Sequence, residues 1–252
     1  MYGEFARCYD ALMDDVDYDG WAAHYLALMR ARGVSPRAVA ECACGTGSLT
    51  VRLAQAGVSV IGVDSSPDML RVAADKARAR GVHIPFVCQD MRALTLHKPV
   101  DAVLATCDGV NYLCAPEAAR GFFAAAFAAL RPGGGIFFDV SSYGKLTQVL
   151  GDAFYGETRA QAAYLWQNHF NPATAVVDMD LTGFVREADG RYRRFDEIHR
   201  QRAHTEAELS AWLTDAGFAD VAVYGERGFA PPTPDDQRWH VSALKPRPAA
   251  AG

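Results

Sequence analysis

The sequence has no excess of basic residues and no long apolar run, and these two absences disfavour several kinds of partner. Lys and Arg total 25 against 30 Asp and Glu among 252 residues, a formal net charge of -5, so the average field would repel nucleic acid. No stretch approaches the roughly 18 to 20 consecutive apolar residues of a membrane-spanning helix, and Met1 to Glu4 do not begin an export signal. We therefore expect a cytoplasmic protein with a small-molecule substrate, and neither a nucleic-acid nor a membrane partner.

The six cysteines lack the spacing of a metal site. Cys42 and Cys44 are separated by one residue, and no second Cys or His pair stands at ligand spacing from them. Cysteines scattered through core segments of a chain without an export signal are typically reduced and packed. We expect no metal.

From residue 37 onward, short apolar runs alternate with Ala- and Leu-rich stretches, the pattern of βαβ units and a parallel sheet. The predicted strands are 38–43, 58–63, 83–88, 100–105, 135–140, 219–224 and 240–244. The predicted helices are 49–56, 67–80 and 117–130, with a further helix that opens at Thr205 in a capping box with Glu208. The fold class is therefore α/β.

Two parts of the chain depart from this alternation. Residues 1–36 predict a helical N-terminal cap, and turn signals at Asn171-Pro172 and Asp189-Gly190 predict antiparallel strands within 142–204. We interpret 142–204 as a β subdomain inserted into a core formed by 37–141 and 205–246, and 247–252 as a disordered tail. The insertion could serve as a lid or as the surface of a homodimer.

A glycine loop follows the first predicted strand. The segment is Glu41-Cys42-Ala43-Cys44-Gly45-Thr46-Gly47-Ser48, and its two glycines allow a sharp turn with room for a ligand. Asp64 ends the second strand, where a carboxylate can accept hydrogen bonds from both hydroxyls of a ribose. The two features together predict a nucleoside site, although Asp64 could instead only assist a helix cap formed by Ser65 or Ser66.

The residues that follow favour S-adenosylmethionine over NAD. A dinucleotide site usually has a third glycine three residues beyond the second, and Thr50 stands there. After the third strand, Gln89-Asp90-Met91 offers a carboxylate for the adenine amino group and an apolar side chain for the ring. A pyrophosphate would need neither.

These motifs, with Arg131-Pro132-Gly133-Gly134, resemble the class I S-adenosylmethionine-dependent methyltransferases over nearly the whole chain. The resemblance implies a Rossmann-like seven-stranded sheet with helices on both faces and an antiparallel last strand. It implies that the cofactor's methionine end contacts Glu41, Cys42, Ala43, Gly45, Thr46 and Gly47, and that ribose and adenine contact Asp64, Ser65, Met69, Gln89, Asp90 and Met91. The family's usual first glycine is Ala43 here.

The N-terminal segment Tyr2 to Asp10 resembles the opening of bacterial amino-sugar N-methyltransferases, which also carry a β-rich insertion. That resemblance implies that Tyr9 contacts the methionine portion. Tyr112 stands where the sugar enzymes have a His near the transferred methyl group, so a sugar substrate does not follow from the resemblance.

Methyl transfer from a sulfonium is an in-line displacement that needs few catalytic side chains. The segment after the fourth strand supplies Cys107 toward the cofactor and Asp108, Asn111 and Tyr112 as catalytic candidates, while the insertion supplies Trp166 and His169 for the substrate. His199 and His204 could be general bases, but neither has a partner visible in the sequence, which favours a structural role.

The predicted function is methyl transfer from S-adenosylmethionine to nitrogen or oxygen of a small molecule. An NAD-linked oxidoreductase and an S-adenosylmethionine-binding protein without transfer activity remain as alternatives.

Overall fold

A seven-stranded sheet flanked by helices forms the larger part of the molecule, and a four-stranded sheet lies beside it. The computed structural model describes residues 3–226 and 228–248, with the backbone alone for 3–5, 7 and 8. The helices are α1 (Gly3–Leu12), α2 (Tyr18–Ala31), α3 (Ser48–Gln55), α4 (Pro67–Ala79), α5 (Pro116–Ala129) and α6 (Glu206–Asp215). The strands of the larger sheet are β1 (Ala38–Cys42), β2 (Ser59–Asp64), β3 (Phe86–Cys88), β4 (Val100–Ala105), β5 (Leu130–Ser141), β10 (Ala219–Tyr224) and β11 (Arg238–Leu244).

The order of strands in this sheet is β10-β11-β5-β4-β1-β2-β3. Strands β1 to β5 pair in parallel, whereas β11 is antiparallel to both β5 and β10. From β1 in the middle of the sheet, successive strands are added first toward one edge, through β2 and β3, and then toward the other edge, from β4 onward. Ligands of such open sheets bind beyond the carboxyl ends of the strands, where the order reverses.

Helices cover both faces of this sheet, and each face has its own apolar core. On one side, Tyr25 of α2 and Leu53 of α3 pack in a cluster with Phe137 of β5. On the other side, Phe123 of α5 packs with Phe138 of β5. Consecutive strand residues point to opposite faces, so burial of both explains why these strands are apolar throughout. The predicted fold class is confirmed.

The smaller sheet consists of β6 (Phe154–Thr158), β7 (Ala162–Asn171), β8 (Val176–Arg186) and β9 (Tyr192–Arg202), which pair antiparallel in that order. A short π-helical segment, Lys145–Leu150, precedes it. The registers Asn168↔Met179 and Met179↔His199 place these three residues on one face of the sheet. That face is directed toward the larger sheet.

Two predicted strands begin three or more residues away from their start in the structure. The strand predicted for 83–88 begins only at Phe86, since proline has no N–H to donate and Pro85 instead accepts a hydrogen bond from the Gly62 N–H at 3.0 Å. The strand predicted for 135–140 begins earlier, since β5 already starts at Leu130, directly after α5, and a Cβ on Gly134 within it would stand 2.6 Å from the Asp101 carbonyl oxygen. Glycine therefore permits a close approach of two strands there.

No helix within 3–226 or 228–248 has both the length and the apolar character needed to cross a bilayer. Of the tail predicted for 247–252, residues 249–252 lie outside the described part of the chain. Met1 and Tyr2, at the start of the predicted cap, also lie outside it.

Candidate active site: two adjoining cavities

A cavity of about 530 Å³ lies at the carboxyl ends of β1, β2 and β4, and we call it the cofactor cavity. Every predicted cofactor residue except Cys42 and Gly47 lines it, namely Tyr9, Glu41, Ala43, Gly45, Thr46, Asp64, Ser65, Met69, Gln89, Asp90, Met91 and Cys107. Tyr112 lines it as well. The ends of four neighbouring strands, β4, β1, β2 and β3, and the loops that follow them thus bring most of these residues together.

Cys42 and Gly47 support the loop from outside the cavity. Cys42 is fully buried in the core, and burial raises the pKa of its thiol. Gly47 precedes α3 at φ 70°, and a Cβ there would stand 2.9 Å from the Cβ of Ala73 in α4. Neither the φ angle nor the space suits a larger residue, so Gly47 fixes the path of the loop.

Glu41 places a buried carboxylate in the cofactor cavity. Its Oε2 accepts a 2.5 Å hydrogen bond from the Thr50 hydroxyl, and Oε1 accepts one of 3.5 Å from Thr106. Burial raises the pKa of Glu41 to about 7, although the two hydroxyls favour the charged form. Thr50 stands where a dinucleotide site would have its third glycine, and its hydroxyl holds the Glu41 carboxylate in place. A cationic group would complete this site.

Asp64 is held by backbone amides. Its Oδ2 accepts from the Gly45 N–H at 2.8 Å, and Oδ1 accepts from the Ser66 N–H at 2.8 Å. Burial nevertheless raises the pKa of Asp64 above its ordinary value. The helix cap itself is made by Ser66, whose hydroxyl accepts from the Met69 N–H. Asp64 therefore joins the glycine loop to the start of α4 and presents its carboxylate to the cavity.

Gln89 and Asp90 line the outer part of the cavity and also have local partners. The Gln89 side-chain oxygen accepts from the Thr95 N–H at 3.0 Å. The Asp90 carboxylate accepts from the backbone and guanidinium of Arg92, which lowers the pKa of Asp90. These contacts fix the segment after β3 next to Met91.

Helix α1 is attached to the glycine loop through Asp10. The Asp10 carboxylate accepts from the Thr46 hydroxyl at 2.7 Å and forms an ion pair with Lys76 of α4 at 2.8 Å. The neighbouring Tyr9 lines the cofactor cavity and hydrogen-bonds the Tyr18 side chain. The first helix thus closes one side of the cavity.

A second cavity, of about 890 Å³, adjoins the first, and we call it the acceptor cavity. Tyr9, Cys107, Tyr112 and His199 line both cavities. The aromatic residues Trp21, Tyr164 and Trp166 form other parts of its wall, and Trp166 is the predicted substrate residue that the structure brings here. The smaller sheet contributes Tyr164, Trp166, Leu181, His199 and Gln201, all from one face.

The turn after β4, at the floor of the acceptor cavity, has a strained backbone. Cys107 and Asp108 have φ angles of 56° and 65°, which side chains other than glycine rarely adopt. The buried Asp139 carboxylate compensates by accepting both N–H groups, at 2.7 Å from Cys107 and 3.1 Å from Asp108. Strain held by such a contact is typical of functional sites.

Arg238 joins the two carboxylates of this floor. It forms ion pairs with Asp108 and with Asp139, and its guanidinium lies over the Trp21 ring at 5.1 Å from the centroid. Burial alone would raise the pKa of Asp108, but the positive charges of Arg238 and Lys145 together outweigh burial and hold that pKa below its usual value. Burial raises the pKa of Asp139 despite the same neighbour. Asp108 is thus a charged, paired group that lines the acceptor cavity.

Of the residues predicted for catalysis or for the substrate, two line neither cavity. Asn111 is fully buried; its amide donates to the carbonyls of Ser141 and Arg202 and its oxygen accepts from the Ser141 N–H. These bonds join the two sheets, so Asn111 is positioned as a structural residue. His169 is exposed on β7 and lies 3.8 Å from Asp180. His169 therefore lies on the face of the smaller sheet opposite to the one that carries Trp166 and His199.

Sequence reasoning missed Tyr18, Asp139 and Arg238 and gave His199 a structural role. Asp139 directly follows the apolar residues 136–138 of β5, and a buried charge in such a strand usually needs a partner of opposite charge, here Arg238. That pattern was the available signal. For His199 the sequence offered no such signal, because its partner Tyr112 is 87 residues away in the chain.

Comparison with known proteins identifies the family. A family model described as a methyltransferase domain matches residues 39–134. A candidate methyltransferase of Geobacillus sp. (strain WCH70) is 34% identical over 245 residues, 97% of this chain and 99% of the relative. The crystal structure of an S-adenosylmethionine-dependent methyltransferase from Clostridium acetobutylicum is 29% identical, with a TM-score of 0.88 over 97% of this chain and 99% of that one.

The chain belongs to the S-adenosylmethionine-dependent methyltransferases. The methyltransferase also shares its fold with an S-adenosylmethionine-bound amino pentose methyltransferase of Micromonospora echinaspora, 22% identical, with a TM-score of 0.75 over 94% and 96% of the two chains. The predicted resemblance is therefore confirmed, and family membership goes against the NAD-linked alternative.

Proposed function

We propose that this methyltransferase binds S-adenosylmethionine in the cofactor cavity and transfers the methyl group to nitrogen or oxygen of a small molecule in the acceptor cavity. The observation that carries the proposal is that the two cavities share a wall made by Tyr9, Cys107, Tyr112 and His199. A cofactor on one side and an acceptor on the other would meet there.

The residues of the cofactor cavity fit the parts of S-adenosylmethionine. Glu41 offers a buried carboxylate to the ammonium of the methionine part, next to the loop of Ala43, Gly45 and Thr46. Asp64 can accept hydrogen bonds from the ribose hydroxyls, with Ser65 beside it. The adenine would lie among Met69, Gln89, Asp90 and Met91, where the two methionine side chains can pack on the ring.

Bound S-adenosylmethionine supplies a methyl group on a sulfonium, which a nucleophile attacks in line. What the chain contributes is alignment, and this accounts for up to about 7–11 kcal/mol of a barrier in well-oriented reactions. Trp21, Tyr164 and Trp166 provide flat apolar walls against which an acceptor can be oriented. Asp108, held by Arg238, provides a fixed hydrogen-bond acceptor at the floor.

A binding protein without transfer activity would not need the second cavity. The acceptor cavity, with its aromatic walls and charged floor, supports an enzyme that holds a second ligand. The smaller sheet supplies one wall, and in this proposal it acts as a lid.

Isothermal titration calorimetry of the full chain with S-adenosylmethionine, S-adenosylhomocysteine and NAD, in parallel, tests the cofactor. We expect both adenosyl ligands to bind and NAD not to bind; binding of NAD alone would overturn the proposal. Screening small amines, phenols and acids for transfer of a radiolabelled methyl group then tests the reaction. Acceptors confined to nucleic acid or protein would contradict a small-molecule substrate.

A further inference from the structure

The shared wall between the two cavities contains a hydrogen-bonded pair of side chains from different sheets. The Tyr112 hydroxyl and Nδ1 of His199 are 3.2 Å apart, and their rings meet edge to face with centroids 6.0 Å apart. Tyr112 belongs to the short helical turn after β4, and His199 to β9 of the smaller sheet. The pair therefore forms only when the smaller sheet lies against the core.

The two members of the pair differ in how far they are exposed to the cavities. Tyr112 is 42% exposed and lines both cavities, although its neighbours Val110 and Asn111 are fully buried. His199 is 7% exposed and stands behind it. A molecule in the acceptor cavity can therefore reach the phenol, and through the phenol the imidazole.

We propose that Tyr112 and His199 form the proton-accepting pair of the methyl transfer, with the Tyr112 hydroxyl in contact with the acceptor and His199 as the final base. This inference rests on the proposed function of the two cavities. It makes Tyr112 a catalytic residue and His199 a residue that acts through it.

The proposed step consists of one methyl transfer and two proton transfers. A lone pair of the acceptor nitrogen or oxygen forms the bond to the methyl carbon, and the carbon–sulfur bond breaks with its electron pair going to sulfur. The acceptor's proton passes to the Tyr112 oxygen as the Tyr112 proton passes to Nδ1 of His199. The products are the methylated acceptor, S-adenosylhomocysteine and an imidazolium, which later releases its proton to water.

The surroundings keep His199 ready to accept a proton. Burial lowers the pKa of His199, so the neutral ring prevails at neutral pH. Across the strand pairing, β8 presents the apolar Met179. The other titratable groups that line the two cavities are Tyr9, Asp15, Asp17, Tyr18, His24, Glu41, Cys44, Asp64, Asp90, Arg92, Cys107, Asp108, Cys114, Tyr164, Glu226, Arg238 and His240. Asp108 and Arg238 neutralise each other.

An NMR experiment on the full chain with labelled histidine tests the pair without an acceptor. In the complex with S-adenosylhomocysteine, we expect neutral His199 to carry its proton on Nε2 and to accept at Nδ1. Exchange for S-adenosylmethionine should lower the pKa of His199 by about half a unit or more, because the sulfonium places a positive charge nearby. The exposed His97 should not respond. A protonated Nδ1, or an unchanged His199 pKa, would overturn the proposal.

Kinetics with an acceptor from the screen test the proton transfer itself. Tyr112→Phe and His199→Gln should each lower kcat by about 10²- to 10⁴-fold, the usual contribution of acid–base catalysis, while the Kd for S-adenosylhomocysteine stays within about twofold. In the wild type, kcat should fall as the pH drops through the pKa of His199, and His199→Gln should lose this dependence. His97→Gln is the matched control.

The two proposals fail differently. If the wild type binds neither adenosyl ligand, the proposed function fails. If it binds them and transfers methyl groups, and both variants keep the wild-type rate and pH profile, only the proton-accepting pair is wrong.

Discussion

At the level of single residues, the cofactor cavity depends on two buried carboxylates with different partners. Glu41 is held by two hydroxyls, which stabilise a carboxylate less than amides aligned by the backbone. Asp64 is held by backbone N–H groups of the glycine loop and of the turn before α4. The contribution of Glu41 to cofactor affinity should therefore depend on pH near neutrality, whereas the contribution of Asp64 is best measured by replacing it.

We predict that affinity for S-adenosylmethionine falls as the pH drops through about 7. Burial raises the pKa of Glu41 to about 7, so the carboxylate that would pair with the ligand's ammonium is protonated below that pH. The affinity is fully present above this pKa and decreases by at most about tenfold per pH unit below it, as linkage requires. Calorimetry between pH 6 and 8.5 measures it.

Glu41→Gln is the control for this pH dependence. The amide oxygen can still accept from one of the two hydroxyls, of Thr50 or Thr106, and the NH2 group can donate to the other, but the side chain cannot titrate. The variant should bind about 10- to 100-fold more weakly at pH 8, the range for a hydrogen bond to a charged group, and its affinity should not change with pH. If the affinity of the wild type is also independent of pH, Glu41 does not pair with the ammonium.

We predict that Asp64→Ala weakens binding of S-adenosylmethionine by about 1.5–3 kcal/mol, because hydrogen bonds to a charged group are lost. Calorimetry measures the loss, and thermal unfolding checks that the glycine loop has not collapsed. Asp75→Ala is the matched control, since Asp75 is exposed on α4 and pairs with Arg78. Wild-type affinity in Asp64→Ala would remove this residue from the ribose site.

At the level of elements, helix α1 is held over the cofactor cavity by polar contacts. Asp10 accepts from Thr46 and pairs with Lys76, while Lys76 also donates to the Ser48 hydroxyl at 2.6 Å. The helix, the glycine loop and α4 thus meet at one carboxylate. Ligand release should require this contact to open.

We predict that Asp10→Asn speeds dissociation of S-adenosylhomocysteine about 2- to 10-fold, because the loss of a partly exposed pair is worth about 0.5–1.5 kcal/mol. Stopped-flow displacement measures the rate. Asp19→Asn removes a comparable but exposed pair with Arg52 and should leave the rate unchanged. An equal effect of both variants would mean that α1 does not gate release.

Arg238 connects β11 to β5 and to the turn after β4. Its removal leaves two carboxylates, Asp108 and Asp139, close together without the cation that forms an ion pair with both. Breaking one partner of a buried pair is costly because the remaining charge is left uncompensated.

We predict that Arg238→Met lowers the free energy of unfolding by about 3–5 kcal/mol at pH 8. The loss should be smaller at pH 5, since the freed carboxylates have raised pKa values in the folded state and take up protons as the pH falls. Urea unfolding at both pH values measures it. Arg78→Met, which breaks an exposed pair, should cost less than about 1 kcal/mol. A loss that is the same at both pH values would contradict the electrostatic cause.

At the level of the whole molecule, the two sheets together enclose the acceptor cavity. One face of the smaller sheet supplies Trp166, Leu181 and His199 to that cavity. The opposite face carries exposed apolar side chains, among them Phe154, Leu165 and Ile198. The lid that we propose uses only the inner face of the smaller sheet.

We predict that S-adenosylhomocysteine at 100 times its Kd raises Tm by about 5–10 °C, because binding to the folded state alone adds about 2.7 kcal/mol to a chain of this size. Thermal scans with the ligand, and with NAD as the control, measure the shift. A shift with NAD and none with S-adenosylhomocysteine would contradict the assignment of the cavity.

The sequence by itself determined the order of the elements and the place of the cofactor loop. Strands such as 100–105 and 219–224 coincide with β4 and β10, because short β-rich runs bounded by stop signals are local properties of the chain. Gly45 and Asp64 follow directly from strand ends, so their convergence at one sheet edge was predictable once the sheet was parallel.

Only the tertiary structure decided the acceptor side. Asn111 and Tyr112 are adjacent in the chain, yet one bonds Ser141 in the core and the other meets His199 at the junction of the cavities. Arg238 finds Asp108 across 130 residues. These pairings depend on how the smaller sheet and β11 dock on the parallel core, and no local pattern of side chains encodes the docking of distant segments.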